Sequence, residues 1–90
     1  MPTVHFTPAL KRFRPDLKTI EVIAATVSEV VMGIEANYPG LSAYLVEDNG
    51  ALRQHVNIFI NDTFIRDRKR LSDRVSAGDE VHVIQALSGG

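Results

Sequence analysis

Apolar and polar residues alternate in several short stretches of the chain, a pattern typical of β-strands with one buried face. Val4 and Phe6 share one side of the first stretch, and Val81 and Val83 share one side of the last. Five strands are predicted in this way: residues 3–7, 17–23, 54–60, 63–65 and 80–86. A further strand is expected to begin within residues 43–46. Together the strands predict a sheet with one apolar face that another layer must cover.

One segment has the period of an α-helix instead. Its apolar residues recur at spacings of three and four positions: Val27, Val30, Val31, Ile34 and Tyr38. Thr26 and Glu29 have the spacing of a capping box, so we expect the helix to begin after an N-cap at Thr26. The pair Pro39-Gly40 should end the helix. Gly33 lowers the helix propensity by roughly 1 kcal/mol relative to alanine, so packing must supply the stability.

The other segments are predicted to be turns and loops. The stretch 47–50 ends in Asn-Gly and should turn the chain, as should the pair Asn61-Asp62. Residues 8–15 are basic and bracketed by prolines, which favours a loop. The basic run 66–70 and the segment after it are expected to form another, solvated loop, with one helical turn at most.

The order of elements is strand, strand, helix, then strands. The apolar stripe of the helix and the apolar face of the sheet can cover each other if the helix lies across the sheet. We therefore predict an α+β fold of the ubiquitin-like, β-grasp type, with one main helix on a four- to five-stranded mixed sheet. Residues 1–86 would form this domain, and residues 87–90 a flexible C-terminal tail.

Composition excludes several functions. The 90 residues allow one domain. Ten Lys and Arg against eleven Asp and Glu argue against nucleic-acid binding. The absence of cysteine excludes disulfides, thiolate zinc sites, iron–sulfur clusters and a Cys nucleophile. His5, His55 and His82 lack ligand spacing, so no metal site is expected. With no signal peptide or membrane span in the sequence, we expect a cytoplasmic protein without a membrane partner.

The last residues, Leu87, Ser88, Gly89 and Gly90, follow the final strand directly. Six residues from Gln85 onward reach roughly 20 Å when extended. Two glycines contribute nothing to a core, but without side chains they can enter a narrow channel of another protein. The Gly90 carboxylate could then attack the α-phosphate of a nucleotide and form an acyl-adenylate. A sulfur nucleophile would convert the adenylate into a thiocarboxylate, which stores sulfur without any cysteine.

Two apolar side chains are predicted to point away from the core, Phe59 and Ile84. If their strands are neighbours, both lie in one patch close to the tail. We expect this patch to bind partner proteins, with His5 and His82 at its rim. Single exposed apolar residues are also common on ordinary surfaces.

The chain resembles the ThiS/MoaD family of sulfur-carrier proteins over nearly its whole length. General features of that family are the terminal Gly89-Gly90 and the stretch 78–81, which leads into the last strand. More specific stretches are residues 35–38 with Gly40, residues 56–58 and residues 61–62. These resemble the CysO-type carriers of actinobacterial cysteine biosynthesis. An outward apolar residue at the position of Ile84 is similar to the family's docking contact.

The resemblance implies a carrier that is not itself an enzyme and binds no cofactor. An E1-like adenylating enzyme would activate Gly90 with ATP and magnesium, and a sulfurtransferase or other donor would supply the sulfur. A biosynthetic enzyme would then accept the sulfide. For the CysO type this is a pyridoxal-phosphate-dependent synthase, and a zinc metalloprotease later frees the product. Related carriers serve molybdopterin, thiamine or thio-natural products.

Two other functions stay open at this stage. A ubiquitin-like modifier would use the same activation but join Gly90 to lysines of other proteins through an isopeptide bond. A plain β-grasp binding module would carry the two glycines without using them.

Overall fold

The computed structural model describes residues 1–85, except for the side chain of Phe13. The strands are β1 Thr3–Phe6, β2 Ile20–Glu21, β3 Val56–Ile60, β4 Thr63–Phe64 and β5 Glu80–Gln85. The helices are α1 Pro8–Phe13, α2 Val27–Asn37 and α3 Ser42–Leu45. The strands form one sheet in the order β2-β1-β5-β3-β4. The predicted mixed sheet with a main helix is confirmed.

Strand β5 is central and pairs on both sides. It runs parallel to β1, with Val4 opposite Val81, and antiparallel to β3, with Ile58 opposite Val83. The alternate residues on the inner side of these strands are fully buried: Val4, Val56, Ile58, Val81 and Val83. The stripe of α2 packs in the same core and buries Val27, Val30, Val31 and Ile34. One helix thus covers one face of the sheet, which is the ubiquitin-like β-grasp arrangement.

The predicted N-cap at Thr26 is confirmed, and the reciprocal bond of Glu29 goes to the residue before the N-cap instead of to Thr26 itself. The Glu29 backbone N–H donates to Thr26 Oγ1 at 3.3 Å, and Glu29 Oε1 accepts the Ala25 N–H at 2.6 Å. Gly33 has a packing role that its propensity does not reveal. A Cβ at this position would lie 2.8 Å from the nearest Val22 methyl carbon, so the glycine lets the chain after β2 approach the helix closely.

Two short helices replace other predicted structure. The prediction of a loop over residues 8–15 is wrong, because Pro8 begins α1, where its missing N–H costs nothing, and the helix buries Leu10 to 1% exposure. The strand expected within residues 43–46 is also wrong. Leu41 and Leu45 are fully buried while Ala43 between them is exposed, whereas a strand would place all three residues on one face.

Strand limits differ from the predicted ones by one residue at β1 and β4 and by more at β2 and β3. Only Ile20 and Glu21 pair in β2, because Leu17 and Val22 reach the core from the flanking loops. Strand β3 begins at Val56, whose N–H donates to Arg53 O in a turn. Strand β5 is described to Gln85. The proposed tail of Leu87, Ser88, Gly89 and Gly90 lies outside the described residues, and so does the domain boundary after residue 86.

Candidate functional site

The outer face of the sheet, turned away from α2, carries an open groove of about 390 Å³. Side chains alternate between the two faces of a strand, so His5, Phe59, His82 and Ile84 face the groove from positions between the core residues of β1, β3 and β5. It is lined by His5, Phe6, Thr7, Pro8, Phe59, Asn61, His82 and Ile84. Most of this lining is apolar carbon, which makes the outer face a candidate docking surface.

The strand register brings the two predicted apolar residues together. Phe59 lies opposite His82 across the β3–β5 pair, and Asn57 lies opposite Ile84. Phe59 and Ile84 are therefore diagonal neighbours on one face, at a spacing that long side chains bridge. All three predicted contact residues, Phe59, Ile84 and His82, line the same groove. Their contact with a partner protein stays a prediction.

Phe64 extends this surface and was not predicted as a site residue. Its ring lies 4.1 Å from the ring of Phe59, and the side chain is 55% exposed. The two residues face each other because β3 and β4 are joined by the two-residue turn Asn61-Asp62. A two-residue turn fixes the register of a hairpin, so the sequence held the information needed to find this pair.

Two histidines stack at the centre of the outer face. His5 and His82 are opposite each other in the parallel β1–β5 pair, with ring centroids 4.7 Å apart and planes 14° apart. His5 Nε2 lies 2.6 Å from Glu80 Oε1, and Thr19 Oγ1 is 3.5 Å from His5 Nδ1. His55 is exposed in the turn before β3, outside this group.

The groove adjoins the point where the chain continues toward its last residues. Ile84 lines the groove, and Gln85 is the next residue and the last that the structure describes. Counted from Ile84, Gly90 is six residues further on, which corresponds to about 20 Å of extended chain. A protein bound in the groove would therefore have residues 86–90 within reach of a site on the same protein.

Three carboxylates hold the loops around the sheet. Backbone N–H groups of Gly40 and Ser42 and the Ser42 hydroxyl donate to Glu35, and these bonds, with that of Gly40 the strongest, lower the Glu35 pKa. The Ser76 N–H, and then the Asn61 amide, lower the pKa of Asp79. The Ser72 hydroxyl, followed by backbone N–H groups, lowers the pKa of Asp67.

Several residues of the stretches that resemble CysO-type carriers hold loops and strand ends in place. Glu35 closes the connection from α2 to α3, in which Gly40 adopts a positive φ of 94°. Asn61, at a φ of 58°, donates its backbone N–H to Glu80 O and accepts the Glu80 N–H through Oδ1. Asn57 bonds to the guanidinium of Arg68. These stretches shape the body that presents the groove, and only a part of them lines it.

Residues 1–85 contain no group of three His, Asp or Glu side chains placed to hold a metal ion. No helix in this part of the chain has the length and hydrophobicity needed to cross a membrane.

Comparison with known proteins places these features in one family. The ThiS family model matches residues 6–90. The sulfur carrier protein CysO of Mycobacterium tuberculosis is 31% identical over 90 residues, which cover 98% of this chain and 97% of the relative. A chain in the crystal structure of the Amycolatopsis orientalis BexX/CysO complex is 29% identical, with a TM-score of 0.85 and full coverage of both chains.

A ubiquitin-like relative matches more narrowly. Small archaeal modifier protein 3 of Haloferax volcanii is 35% identical over 66 residues, which cover 73% of this chain and 71% of the relative. The two relatives differ in what their names say they do, a sulfur carrier in one case and a modifier protein in the other.

Proposed function

The chain belongs to the ThiS family, and from this premise we propose that it is a CysO-like sulfur carrier whose Gly90 carboxylate becomes a thiocarboxylate. The observation that carries the proposal is the family match, which spans the β-grasp body and runs through Gly90. The position of the groove supports it, because the central strand leads from the groove toward the last five residues.

The proposed chemistry has two steps, both catalysed by partner enzymes. A carboxylate oxygen of Gly90 attacks the α-phosphorus of ATP and displaces pyrophosphate, which leaves an acyl-adenylate. Hydrosulfide, supplied by a sulfurtransferase or another donor, then attacks the acyl carbon and displaces AMP, which leaves the thiocarboxylate and one proton. An E1-like enzyme supplies the ATP and magnesium site. This chain supplies the acyl group and the docking surface.

The outer face of the sheet is the proposed docking surface for that enzyme. Phe59 and Ile84 offer apolar area, and His82 borders it beside His5. Residues that anchor protein interfaces are enriched in aromatic side chains near the centre of the contact, and the Phe59–Phe64 pair fits that description. The similarity to CysO favours a pyridoxal-phosphate-dependent synthase as the sulfur acceptor and a zinc metalloprotease that releases the product.

Intact-mass analysis tests the proposal. The chain ending at Gly90 is incubated with the E1-like enzyme of the same organism, ATP, magnesium and sulfide, and the same chain without Gly90 serves as the control. We expect a mass increase equal to the difference between sulfur and oxygen, only in the full chain and only with ATP. An unchanged mass with an active enzyme would contradict the proposal, as would a natural protein that continues past Gly90 without trimming.

Protein modification is the second candidate, and the similarity to small archaeal modifier protein 3 favours keeping it. It uses the same adenylate but passes the acyl group to a lysine amine. The last Lys or Arg before the C-terminus is Arg74, so tryptic digestion of proteins from the native host would leave residues 75–90 on target lysines if conjugation occurs. A host that lacks such remnants but contains the thiocarboxylate form would have the carrier function alone.

A further inference from the structure

The basic run 66–70 is not a uniformly solvated loop, because one of its members points inward. The guanidinium of Arg68 donates through Nη1 to Asn57 Oδ1 at 2.9 Å. Its Nη2 donates to Arg53 O at 2.8 Å and to Val56 O at 2.9 Å. All three acceptors lie at or just before the start of β3. The planar fork of arginine suits three acceptors in a fixed arrangement, which a lysine ammonium would not match.

The surrounding loop holds Arg68 in this position. Arg68 O accepts the Leu52 N–H at 2.7 Å, so its backbone is also tied to the segment before β3. On one side of it, Asp73 accepts the N–H groups of Arg66 and Asp67. On the other side, Asp67 accepts the N–H groups of Lys69 and Arg70. The loop is thus folded around its own carboxylates, with Arg68 directed toward β3.

Within residues 1–85, the end of β5 pairs with the start of β3 and with no other strand. The parallel pairing of β5 with β1 covers residues 80–83 of β5 and ends where Phe6 faces Val83. Ile84 and Gln85 pair only with β3, opposite Asn57 and Val56. The last two residues before the chain continues to Gly90 are therefore held by one neighbouring strand instead of two. Asn57 and Val56 are the residues that Arg68 fastens.

We propose that Arg68 is a positioning residue for the activation of Gly90. By fixing the first two residues of β3, it sets the direction in which β5 delivers residues 86–90 to the activating enzyme. The inference rests on the proposed carrier function and adds a residue to it that lies outside the groove. Gln85 is the described residue from which the chain continues to Gly90, and misplacement of about 1 Å at a reacting group can cost up to roughly a hundredfold in rate.

Steady-state kinetics of ATP–pyrophosphate exchange by the E1-like enzyme of the same organism test this role. The full chain is compared with Arg68→Gln and Arg68→Lys. We expect both variants to lower kcat about tenfold with a smaller change in KM, because the docking groove is intact and the delivered carboxylate is misaligned. Lys69→Gln removes the same charge from the neighbouring exposed position and should leave both constants unchanged. Wild-type kinetics for Arg68→Lys with a raised KM for Arg68→Gln would overturn the proposal in favour of a charge contact with the enzyme.

Amide hydrogen exchange provides a readout that needs no partner. In Arg68→Gln the amide of Ile84, which faces β3 opposite Asn57, should exchange about tenfold faster, while that of His82, which faces β3 opposite Phe59, keeps its protection. Uniformly faster exchange along β5 would show a general loss of stability and contradict a positioning role. Asn57→Ala removes one of the three acceptors and serves as the milder variant if Arg68→Gln fails to fold. If the wild-type chain supports no pyrophosphate exchange, the carrier proposal fails, and the exchange pattern still decides whether Arg68 fixes the strand end.

Discussion

The two faces of the sheet are built from alternate residues of the same three strands, and they differ in almost every property. On the inner face, Val81 and Val83 of β5 are fully buried beneath α2 among other aliphatic side chains. On the outer face, His82 and Ile84 of the same strand line an open groove together with Phe59. Neighbouring residues of one strand thus have separate environments, a packed core on one side and, on the other, the groove for which we propose partner binding.

This separation explains how a chain of 90 residues can expose an apolar groove, the proposed docking surface, without losing its core. A small domain buries a limited part of its surface, so few residues can be spared from packing. Period-two alternation assigns every second strand residue to the core and leaves the others available for partners. Changes on the two faces should therefore have distinct effects, which can be measured separately.

The largest effect is expected from a truncation on the inner face. Ile58 is fully buried, so Ile58→Ala should lower the free energy of unfolding by about 2–5 kcal/mol, from lost burial and the cavity left behind. Urea denaturation followed by circular dichroism measures it. Ile23→Ala is the matched control, because Ile23 is 86% exposed and its truncation should change stability by less than about 0.5 kcal/mol. Similar losses in the free energy of unfolding for the two variants would contradict the claim that the inner face carries the stability of the domain.

The same truncation on the outer face should act on recognition instead. Ile84→Ala is expected to raise the KM for the E1-like enzyme about tenfold, because an apolar contact at the centre of the docking surface is lost. Since Ile84 is only half-buried, the free energy of unfolding should fall by less than about 1 kcal/mol. Pyrophosphate-exchange kinetics and urea denaturation give the two numbers. An unchanged KM, or a stability loss as large as that of Ile58→Ala, would show that the faces are not separate.

A third prediction concerns the layer that covers the inner face. Gly33→Ala introduces a Cβ 2.8 Å from a Val22 methyl carbon, and such crowding costs about 1–3 kcal/mol. Alanine gains roughly 1 kcal/mol in helix propensity, so a net destabilisation of about 1 kcal/mol is expected. Gly78→Ala is the control, since nothing lies within 4 Å of the added Cβ. A Gly33→Ala variant with a higher free energy of unfolding than the wild type would contradict this, because it would show that the space between α2 and Val22 accepts a methyl group without strain.

The smallest effect is expected from pH. The lowered pKa values of Glu35, Asp67 and Asp79 mean that their ionised forms are stabilised by folding. This contribution is present above the unfolded pKa values near 4 and is lost as pH falls through the lower folded values. Urea denaturation between pH 6 and about pH 3 should show stability falling at the acid end. Glu35→Gln should flatten the decline relative to Asp62→Asn, and an unaltered slope would contradict the assigned hydrogen bonds.

Local sequence patterns were sufficient for the long elements. The period of α2 and the capping pair Thr26 and Glu29 are properties of adjacent residues, and the structure contains both. Helices α1 and α3 were missed because they have six and four residues, too few for a period to be visible. They form where burial of Leu10 and Leu45 in the shared core outweighs weak local preference.

The groove could be foreseen only in part. The outward positions of Phe59 and Ile84 follow from alternation, but their adjacency depends on β3 and β5 being neighbours. The stacking of His5 on His82 requires a parallel pair formed by the two ends of the described chain. Arg68 gave no sign of its inward direction, because a run of charges is compatible with solvent on every side. Contacts between distant segments carry this information, and a single sequence does not contain it in readable form.

Deletion of Gly90 tests the central claim most directly, because it separates delivery from chemistry. The shortened and the full chain are compared in thermal unfolding and in ATP–pyrophosphate exchange with the E1-like enzyme. The account predicts the same melting temperature for both, and exchange only with the full chain, since the body folds without the residue whose carboxylate reacts. Exchange by the shortened chain at the full rate, or loss of the fold on deletion, would contradict it.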